Sequence, residues 1–194
     1  MVQVWERLLS ARDALGSVPS YRFDIVDVTR QVLNTNFSHV LAQYREVFAQ
    51  GQGKYNEAKA LAATLMDIIN DFDTILSSDS NFMLGPWIMN ARSWGENPTE
   101  QNLLEFNARN QLTLWGPTGQ INDYAAKSWG GLVRSYYASR WQLFFNISLD
   151  DLQAGRRFDQ VKAGTLTCEA YVREDGRVCF ILTRLLSIST QLIF

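Results

Sequence analysis

Apolar residues recur at helical spacing through most of the first three quarters of the chain. From Tyr21 to about Gln50 they return every three or four positions, which predicts one long amphipathic helix with a broad apolar stripe. The sequence GQGK interrupts the pattern, which resumes from Leu61 to Leu76 and predicts a second long helix. Because the connection is short, the second helix should run back along the first as an antiparallel hairpin within an all-α bundle.

Proline and capping residues predict where two further helices begin. An apolar pattern covers residues 82–94, but Pro86 lacks the N–H that a helix interior requires, so this helix should start or kink there. The sequence NPTE then predicts a new helix start, with Asn97 as the cap and Glu100 three residues later to return a hydrogen bond. That helix should run to Leu114.

The last predicted helix is rich in aromatic residues and extends from Asn122 to about Asn146. Asp123 lies at its predicted start, where a negative charge would complement the helix dipole. The large aromatic side chains favour burial in the core or at an interface with another domain; they include Trp129, Tyr136, Tyr137 and Trp141.

The character of the sequence changes after about residue 150, where imperfect alternation replaces helical spacing. Runs rich in Thr, Val, Tyr and Phe flank the pair Asp175-Gly176, a two-residue signal for a type I′ hairpin turn. This turn would leave Cys168 out of register with Cys179, so a direct disulfide across the hairpin is not expected.

These patterns divide the chain into a helical domain, residues 1–150, and a divergent tail, residues 151–194, that forms a short β-hairpin or an irregular segment. With 194 residues, of which 46% are hydrophobic, the chain is long enough to bury one substantial core. The expected class is therefore all-α, as an antiparallel helical bundle.

Charge and hydropathy exclude several classes of function. The 18 basic and 20 acidic residues are mixed along the chain and give a formal net charge of −2, so no basic stripe is available for nucleic acid or an anionic membrane. The longest apolar runs are too short to span a bilayer, and the N-terminal sequence carries charges where a signal peptide needs an unbroken apolar stretch. We expect no nucleic-acid partner, no membrane contact and no export signal in this sequence.

Candidate metal ligands are few and widely spaced. His39 is the single histidine, and Cys168 and Cys179 do not form a C-x-x-C pair, so neither a metal site nor a cofactor is predicted. His39 should be an ordinary helix-surface residue or a core residue with satisfied hydrogen bonds. Sequons at Asn36 and Asn146 permit a secretory or lysosomal history without demonstrating one.

Three sequence blocks resemble the C-terminal helical domain of α-N-acetylglucosaminidase, glycoside hydrolase family 89. They are YRFDIVDVTRQVL at 21–33, NFMLGPWIMNARSWG at 81–95 and NARNQLTLWGPTGQINDYAAKSWGGLVRSYYASRWQLF at 107–144. They follow the family's order and spacing over about the first 148 residues. The resemblance implies an all-helical domain that packs against the catalytic mouth of a (β/α)8 barrel, which would be its partner.

The resemblance also implies a substrate class. Lysosomal members of the family remove terminal α-linked N-acetylglucosamine from heparan sulfate, and plant and bacterial relatives act on other glycans. A glycan that ends in N-acetylglucosamine is therefore the expected ligand, and a lysosomal, vacuolar or secreted location is implied.

Three residues of the third block match, one by one, the residues with which this domain lines the sugar pocket in the family: Trp115, Ile121 and Tyr124. Their chemistry agrees with that role. An indole offers a flat apolar surface to the C–H face of a pyranose, and a tyrosine adds a ring and a hydroxyl. Gly116 and Pro117 would fix the turn that presents them.

No catalytic residue is predicted in this chain. The resemblance places the family's two catalytic glutamates on the barrel, which is missing from this sequence, so the chain should be a fragment that is inactive alone. A retaining glycosidase needs two carboxyl groups about 5–5.5 Å apart, whereas the acids here are spread over amphipathic faces. We therefore do not expect catalytic roles for Glu100, Glu105 or Asp123.

Other interpretations stay open at this stage. Without the resemblance, Trp115 and Tyr124 would be packing residues at the rim of a core. A second alternative is a free-standing helical module that uses the surface of Trp115 and Tyr124 to bind carbohydrate or protein. A third is a helical bundle with a structural role alone. Asp27 and Arg30 lie at a spacing where an ion pair stabilises a helix surface by about 0.2–0.5 kcal/mol; they could instead hold the domain against the barrel.

Overall fold

Helices account for most of the chain that the computed structural model describes, residues 1–115 and 121–158. Within these residues the all-α class is confirmed. The α-helices are α1 (Val2–Ser10), α2 (Arg12–Leu15), α3 (Pro19–Ala49), α4 (Tyr55–Leu76), α5 (Leu84–Arg92), α6 (Pro98–Thr113) and α7 (Ala138–Gln153). Short 3-10 turns at Gln52–Lys54 and Ser80–Phe82 and a π-helical turn at Val133–Tyr137 connect them, together with the two-residue strands β1 (Leu114–Trp115) and β2 (Ile121–Asn122).

The predicted helical hairpin is confirmed as the α3–α4 pair, the most extensively packed pair of elements. Pro19 occupies the first turn of α3, where its missing N–H costs nothing. The apolar stripes of both helices face each other and α7, and they supply the most deeply buried side chains of the core: Phe37, Tyr44, Leu65, Ile69, Phe72 and Leu76.

Helix α7 closes this core with aromatic side chains. Trp141 stacks on Phe145 with ring centroids 5.5 Å apart and meets Phe37 edge-on at 5.0 Å. The Tyr44 hydroxyl lies 2.6 Å from the Ser148 Oγ in this buried region, and burial raises the pKa of Tyr44 to about 12. The prediction that Trp141 is a core residue is confirmed, as it is for Tyr136 and Tyr137.

The predicted helix starts are also confirmed. Pro86 lies in the first turn of α5, which begins at Leu84. At the start of α6 the Asn97 Oδ1 accepts hydrogen bonds from the N–H groups of Thr99 and Glu100, both at 3.1 Å. The Glu100 carboxylate accepts in return from the Asn97 side chain at 2.8 Å and from the Glu96 N–H at 2.9 Å, which completes the cap.

The predicted helix from Asn122 is wrong at its beginning. Asn122 belongs to β2, and the chain then runs through turns and irregular backbone, so that helical structure begins only near Leu132. Asp123 is consequently not a partner of a helix dipole. It has a positive φ of 52° and lies ahead of the helix, in the turn formed by residues 123–125.

Two surface predictions agree with the structure, and several other predictions concern residues that the structure does not describe. Asp27 and Arg30 form the expected ion pair on α3, and His39 is exposed on the same helix. Helix α7 continues to Gln153, beyond residue 150, and residues 159–194 lie outside the described part of the chain. The predicted hairpin and the two cysteines therefore stay predictions, as does the division at residue 150.

Candidate functional site: an exposed aromatic cluster after helix α6

The three predicted sugar-lining residues lie together where α6 ends. Strand β1 continues directly from α6 and pairs with β2 in antiparallel register, with Trp115 opposite Ile121. Directly opposite residues of an antiparallel pair project their side chains to the same face. Gly116 and Pro117, predicted to fix the intervening turn, lie outside the described residues.

Tyr124 completes this cluster. Its ring centroid lies 4.7 Å from that of Trp115, with an angle of 55° between the ring planes. Trp115 is 40% exposed, Ile121 45% and Tyr124 65%, so all three present apolar surface to solvent. We call these three residues the aromatic cluster. Two rings and an aliphatic side chain on one surface can pack against the C–H face of a sugar, and the Tyr124 hydroxyl can bond to a sugar oxygen.

An unusual turn carries Tyr124. Asp123 has a φ of 52° and Ala126 a φ of 42°, values that residues other than glycine adopt rarely, although aspartate and asparagine adopt them more often than most. The Asp123 N–H donates to the Thr113 carbonyl at 2.9 Å, and the Ala126 N–H donates to the Asp123 carbonyl at 2.9 Å. The first bond ties the turn to the last residue of α6.

The Asp123 side chain ties the same turn to the start of α7. Arg140 Nη1 donates to both carboxylate oxygens, at 2.9 and 2.8 Å, and the arginine side chain is only 13% exposed. Its guanidinium carbon lies 5.0 Å from the ring centroid of Tyr136 and 5.9 Å from that of Tyr137. Burial raises the pKa of both tyrosine hydroxyls above the ordinary value.

Sequence reasoning missed Arg140 and the shape of this turn. Arg140 lies in the sequence SYYASRWQLFF, where a single charged residue among aromatic residues could have indicated a buried ion pair. A cation at such a position needs a partner, because an unpaired buried charge is costly. The positive φ at Asp123 and Ala126 had no comparable signal.

A buried carboxylate on α4 fixes the backbone that follows the turn. Asp73 Oδ1 accepts from the N–H groups of Gly131 at 2.8 Å and Arg134 at 3.0 Å, and its Oδ2 accepts from Arg134 Nε at 3.2 Å. These N–H groups belong to the first turn of the last helical segment, so Asp73 acts as its cap from a different helix.

The glycine pair ahead of this segment is required by geometry. A Cβ on Gly130 would lie 2.4 Å from the Ser77 Oγ and 2.8 Å from the Ser77 backbone nitrogen, and Gly131 has a φ of 86°. Gly130 also donates its N–H to the Phe82 carbonyl at 2.7 Å and accepts from the Leu84 N–H at 3.0 Å. The segment is thereby held on both α4 and the start of α5.

The three carboxylates not nominated as catalysts each have a structural partner. Glu100 caps α6 and Asp123 pairs with Arg140, as described above. Glu105 accepts from Arg92 Nη1 at 2.7 Å and from Arg109 Nε at 2.8 Å, and these hydrogen bonds, that of Arg92 first, lower the pKa of Glu105. A carboxyl group held in its ionised form is poorly suited to act as a general acid.

Residues 1–115 and 121–158 offer few features of other kinds of site. No group of three His, Cys, Asp or Glu side chains close enough to hold a metal ion occurs in that part of the chain. Over the same residues, no helix combines the length and apolar content needed to cross a bilayer. An open cavity of about 420 Å³ lies along α6, lined by Thr99, Asn102, Leu103 and Phe106, on the part of α6 distant from Trp115.

Comparison with known proteins identifies relatives of the whole described region. A family model for the alpha-N-acetylglucosaminidase (NAGLU) C-terminal domain matches residues 1–173. Human alpha-N-acetylglucosaminidase is 35% identical over 158 residues, which are 81% of this chain and 21% of the human protein. The chain thus spans about a fifth of the length of that relative.

Solved structures of a family 89 glycoside hydrolase from Clostridium perfringens share the fold. The structure in complex with its substrate GlcNAc-alpha-1,4-galactose has a TM-score of 0.69 and 26% identity, covering 80% of this chain and 18% of that protein. The structure in complex with PUGNAc has a TM-score of 0.68 and 25% identity, covering 81% and 18%. By sequence and by fold, this chain belongs to the alpha-N-acetylglucosaminidase C-terminal domain family.

Proposed function

We propose that this chain serves as the C-terminal helical domain of an α-N-acetylglucosaminidase-like glycoside hydrolase, in which Trp115, Ile121 and Tyr124 form one wall of the sugar pocket. The substrate class is a glycan that ends in α-linked N-acetylglucosamine. The observation that carries the proposal is the aromatic cluster itself, in which three apolar side chains at the motif positions remain exposed on one surface.

The chemistry of bond cleavage is assigned to a second domain. A retaining glycosidase uses one carboxylate as nucleophile and one carboxylic acid as acid/base, and the carboxylates of α6 and the turn are committed to a helix cap and to ion pairs. We assign the two catalytic glutamates to a (β/α)8 barrel that packs against this domain. The cluster would then contact the sugar from the opposite side of the pocket.

Other exposed apolar side chains support the proposal that this domain packs against a large partner domain. Trp94 is 79% exposed, Met89 and Leu103 are also well exposed, and large apolar groups left in solvent commonly mark interaction sites. The proposal includes a lysosomal, vacuolar or secreted location, which the family resemblance implies.

The test uses the 194-residue chain with its six tryptophans labelled with 15N, so that each indole N–H gives an NMR signal. Titration with N-acetylglucosamine should shift the Trp115 signal, because the sugar stacks on that indole. Half of a pocket should bind weakly, with a dissociation constant above about 1 mM, equivalent to about −4 kcal/mol. Trp115→Ala should abolish all sugar-induced shifts.

Trp94→Ala is the matched control. Trp94 is the more exposed indole, but it lies near the beginning of α6, whose 16 residues separate it from Trp115 by about 24 Å. Its removal should leave the titration unchanged. Absence of any shift at Trp115 would contradict the proposal, and saturation well below 1 mM would favour the free-standing binding module instead.

Catalysis is tested separately. The isolated chain, incubated with an aryl α-N-acetylglucosaminide, should release no more aryl alcohol than a blank does. Clear turnover by the isolated chain would overturn the assignment of the catalytic acids to another domain.

A further inference from the structure

Burial does little to hold the aromatic cluster in place, because all three of its side chains are well exposed. Its residues are among the exposed large apolar side chains of the described chain, and its two strands are only two residues long. A two-stranded ladder of this length has little stability in water. The orientation of Tyr124 against Trp115 must therefore depend on what fixes the adjoining backbone.

Asp123 is the residue best placed to do this. It precedes Tyr124 directly, and its backbone N–H is bonded to the Thr113 carbonyl at 2.9 Å, two residues before Trp115. Its carboxylate is bonded through both oxygens to Arg140 on α7. One residue thus connects the end of α6, the turn and α7.

Arg140 is in turn held in place by the core. Its guanidinium packs over the rings of Tyr136 and Tyr137, which are both buried. The Tyr136 hydroxyl donates to the same Thr113 carbonyl at 3.5 Å. The π-helical turn at Val133–Tyr137 brings both tyrosines to this position, and such turns are frequent near functional sites.

We infer that the Asp123–Arg140 ion pair is a positioning device that sets the geometry of Trp115 and Tyr124 for the sugar. This inference rests on the proposed function. Neither residue is assigned a contact with substrate, and both act through the turn. The left-handed backbone at Asp123 is consistent with this role, since it is a conformation that the surrounding bonds must maintain.

The experiment uses the same indole signals in the absence of sugar. Asp123→Asn removes the charge of the carboxylate while keeping its size, and Arg140→Gln removes the donor. Each should shift or broaden the Trp115 signal and leave unchanged the signal of Trp5, whose Nε1 is bonded to Thr29 on α3 at 2.9 Å. The resonance of Trp115 is assigned with Trp115→Phe.

Arg30→Gln is the matched control, since it breaks another Asp–Arg pair within α3. It should leave the Trp115 signal in place. If Arg140→Gln fails to fold, Asp123→Asn still decides the question, because it keeps the Arg140 side chain and leaves an amide oxygen that can accept its hydrogen bond. A folded Asp123→Asn variant with an unchanged Trp115 signal would overturn the inference.

Sugar titration of the variants separates this inference from the proposed function. Weakened binding in Asp123→Asn, together with a shifted Trp115 signal and an unchanged Trp5 signal, supports both. A shifted Trp115 signal in a chain that responds to no sugar even without substitution supports positioning and contradicts the sugar pocket. Equal sugar-induced shifts in wild type and variants support the pocket and contradict positioning.

Discussion

The molecule has two groups of aromatic side chains, one buried in the core and the other, the aromatic cluster, exposed to solvent. Between α3, α4 and α7, the rings of Phe37, Phe72 and Phe145 are essentially inaccessible to solvent. Trp141 meets Phe37 edge-on and stacks on Phe145. After α6, Trp115 and Tyr124 touch only at the molecular surface. The first cluster is held by mutual burial, whereas the second is held by backbone bonds and an ion pair.

This difference separates stability from function. Burying an aromatic ring contributes free energy in proportion to the apolar area removed from water, so the core cluster should dominate the free energy of unfolding. The exposed cluster gives up most of that contribution, because its side chains stay in contact with solvent.

The largest effect is expected in the core. Phe72→Ala removes a fully buried ring of α4 and leaves a cavity, which should lower the free energy of unfolding by about 3–5 kcal/mol. Equilibrium unfolding in urea measures it. The control His39→Ala, at an exposed position of α3, should change the free energy of unfolding by no more than about 0.5 kcal/mol. If Phe72→Ala also lost less than about 0.5 kcal/mol, the buried rings would not dominate stability and the contrast between the two clusters would be wrong.

An intermediate effect is expected at the glycine that supports the exposed cluster. Gly130→Ala pushes a methyl group against the Ser77 backbone and should cost about 1–3 kcal/mol. The same substitution at Gly53, where no atom lies within 4 Å of the added Cβ, should be neutral or stabilising by about 0.4–1 kcal/mol. Thermal melting of both variants gives the contrast, and equal melting temperatures would argue against the close approach.

A smaller effect on stability is expected at the exposed cluster itself. Trp115→Ala loses a ring contact with Tyr124 and part of one exposed side chain, so the cost should stay below about 1.5 kcal/mol. Urea unfolding beside Phe72→Ala checks this directly. A cost as large as that of Phe72→Ala would mean that Trp115 is a core residue.

The smallest effect concerns acid pH. The pKa of Glu105 is lower in the folded chain than in the unfolded chain, so its contribution is complete above the ordinary carboxyl range and is lost as pH falls through the lowered value. The stability difference between wild type and Glu105→Gln should therefore shrink on acidification. Its partners are well exposed, so the difference should be small; a difference that grows toward low pH would contradict the assigned sign.

The sequence predicted those features whose causes are local. The spacing of apolar residues gave α3 and α4, and the cap formed by Asn97 and Glu100 gave the start of α6 within one residue. The motif that contains Trp115, Ile121 and Tyr124 also led to three residues that do lie together.

The error at Asn122 has a non-local cause. The helical spacing of aromatic residues extends back to Tyr124. However, Asp73, which is distant in sequence, accepts hydrogen bonds from the N–H groups of Gly131 and Arg134. Arg140 in turn donates to the carboxylate of Asp123. No local pattern encodes such bonds. The irregular backbone between Asp123 and Gly131 could therefore not be predicted from the order of apolar residues.

The Asp73 cap has a consequence for the order in which the molecule assembles. Its partners lie 58 and 61 positions further along the chain, so closing this contact must wait until the intervening helices have come together. We therefore expect the backbone that follows the turn at Asp123 to become ordered late in folding. A ligand bound at this turn would then indicate that the bundle has formed.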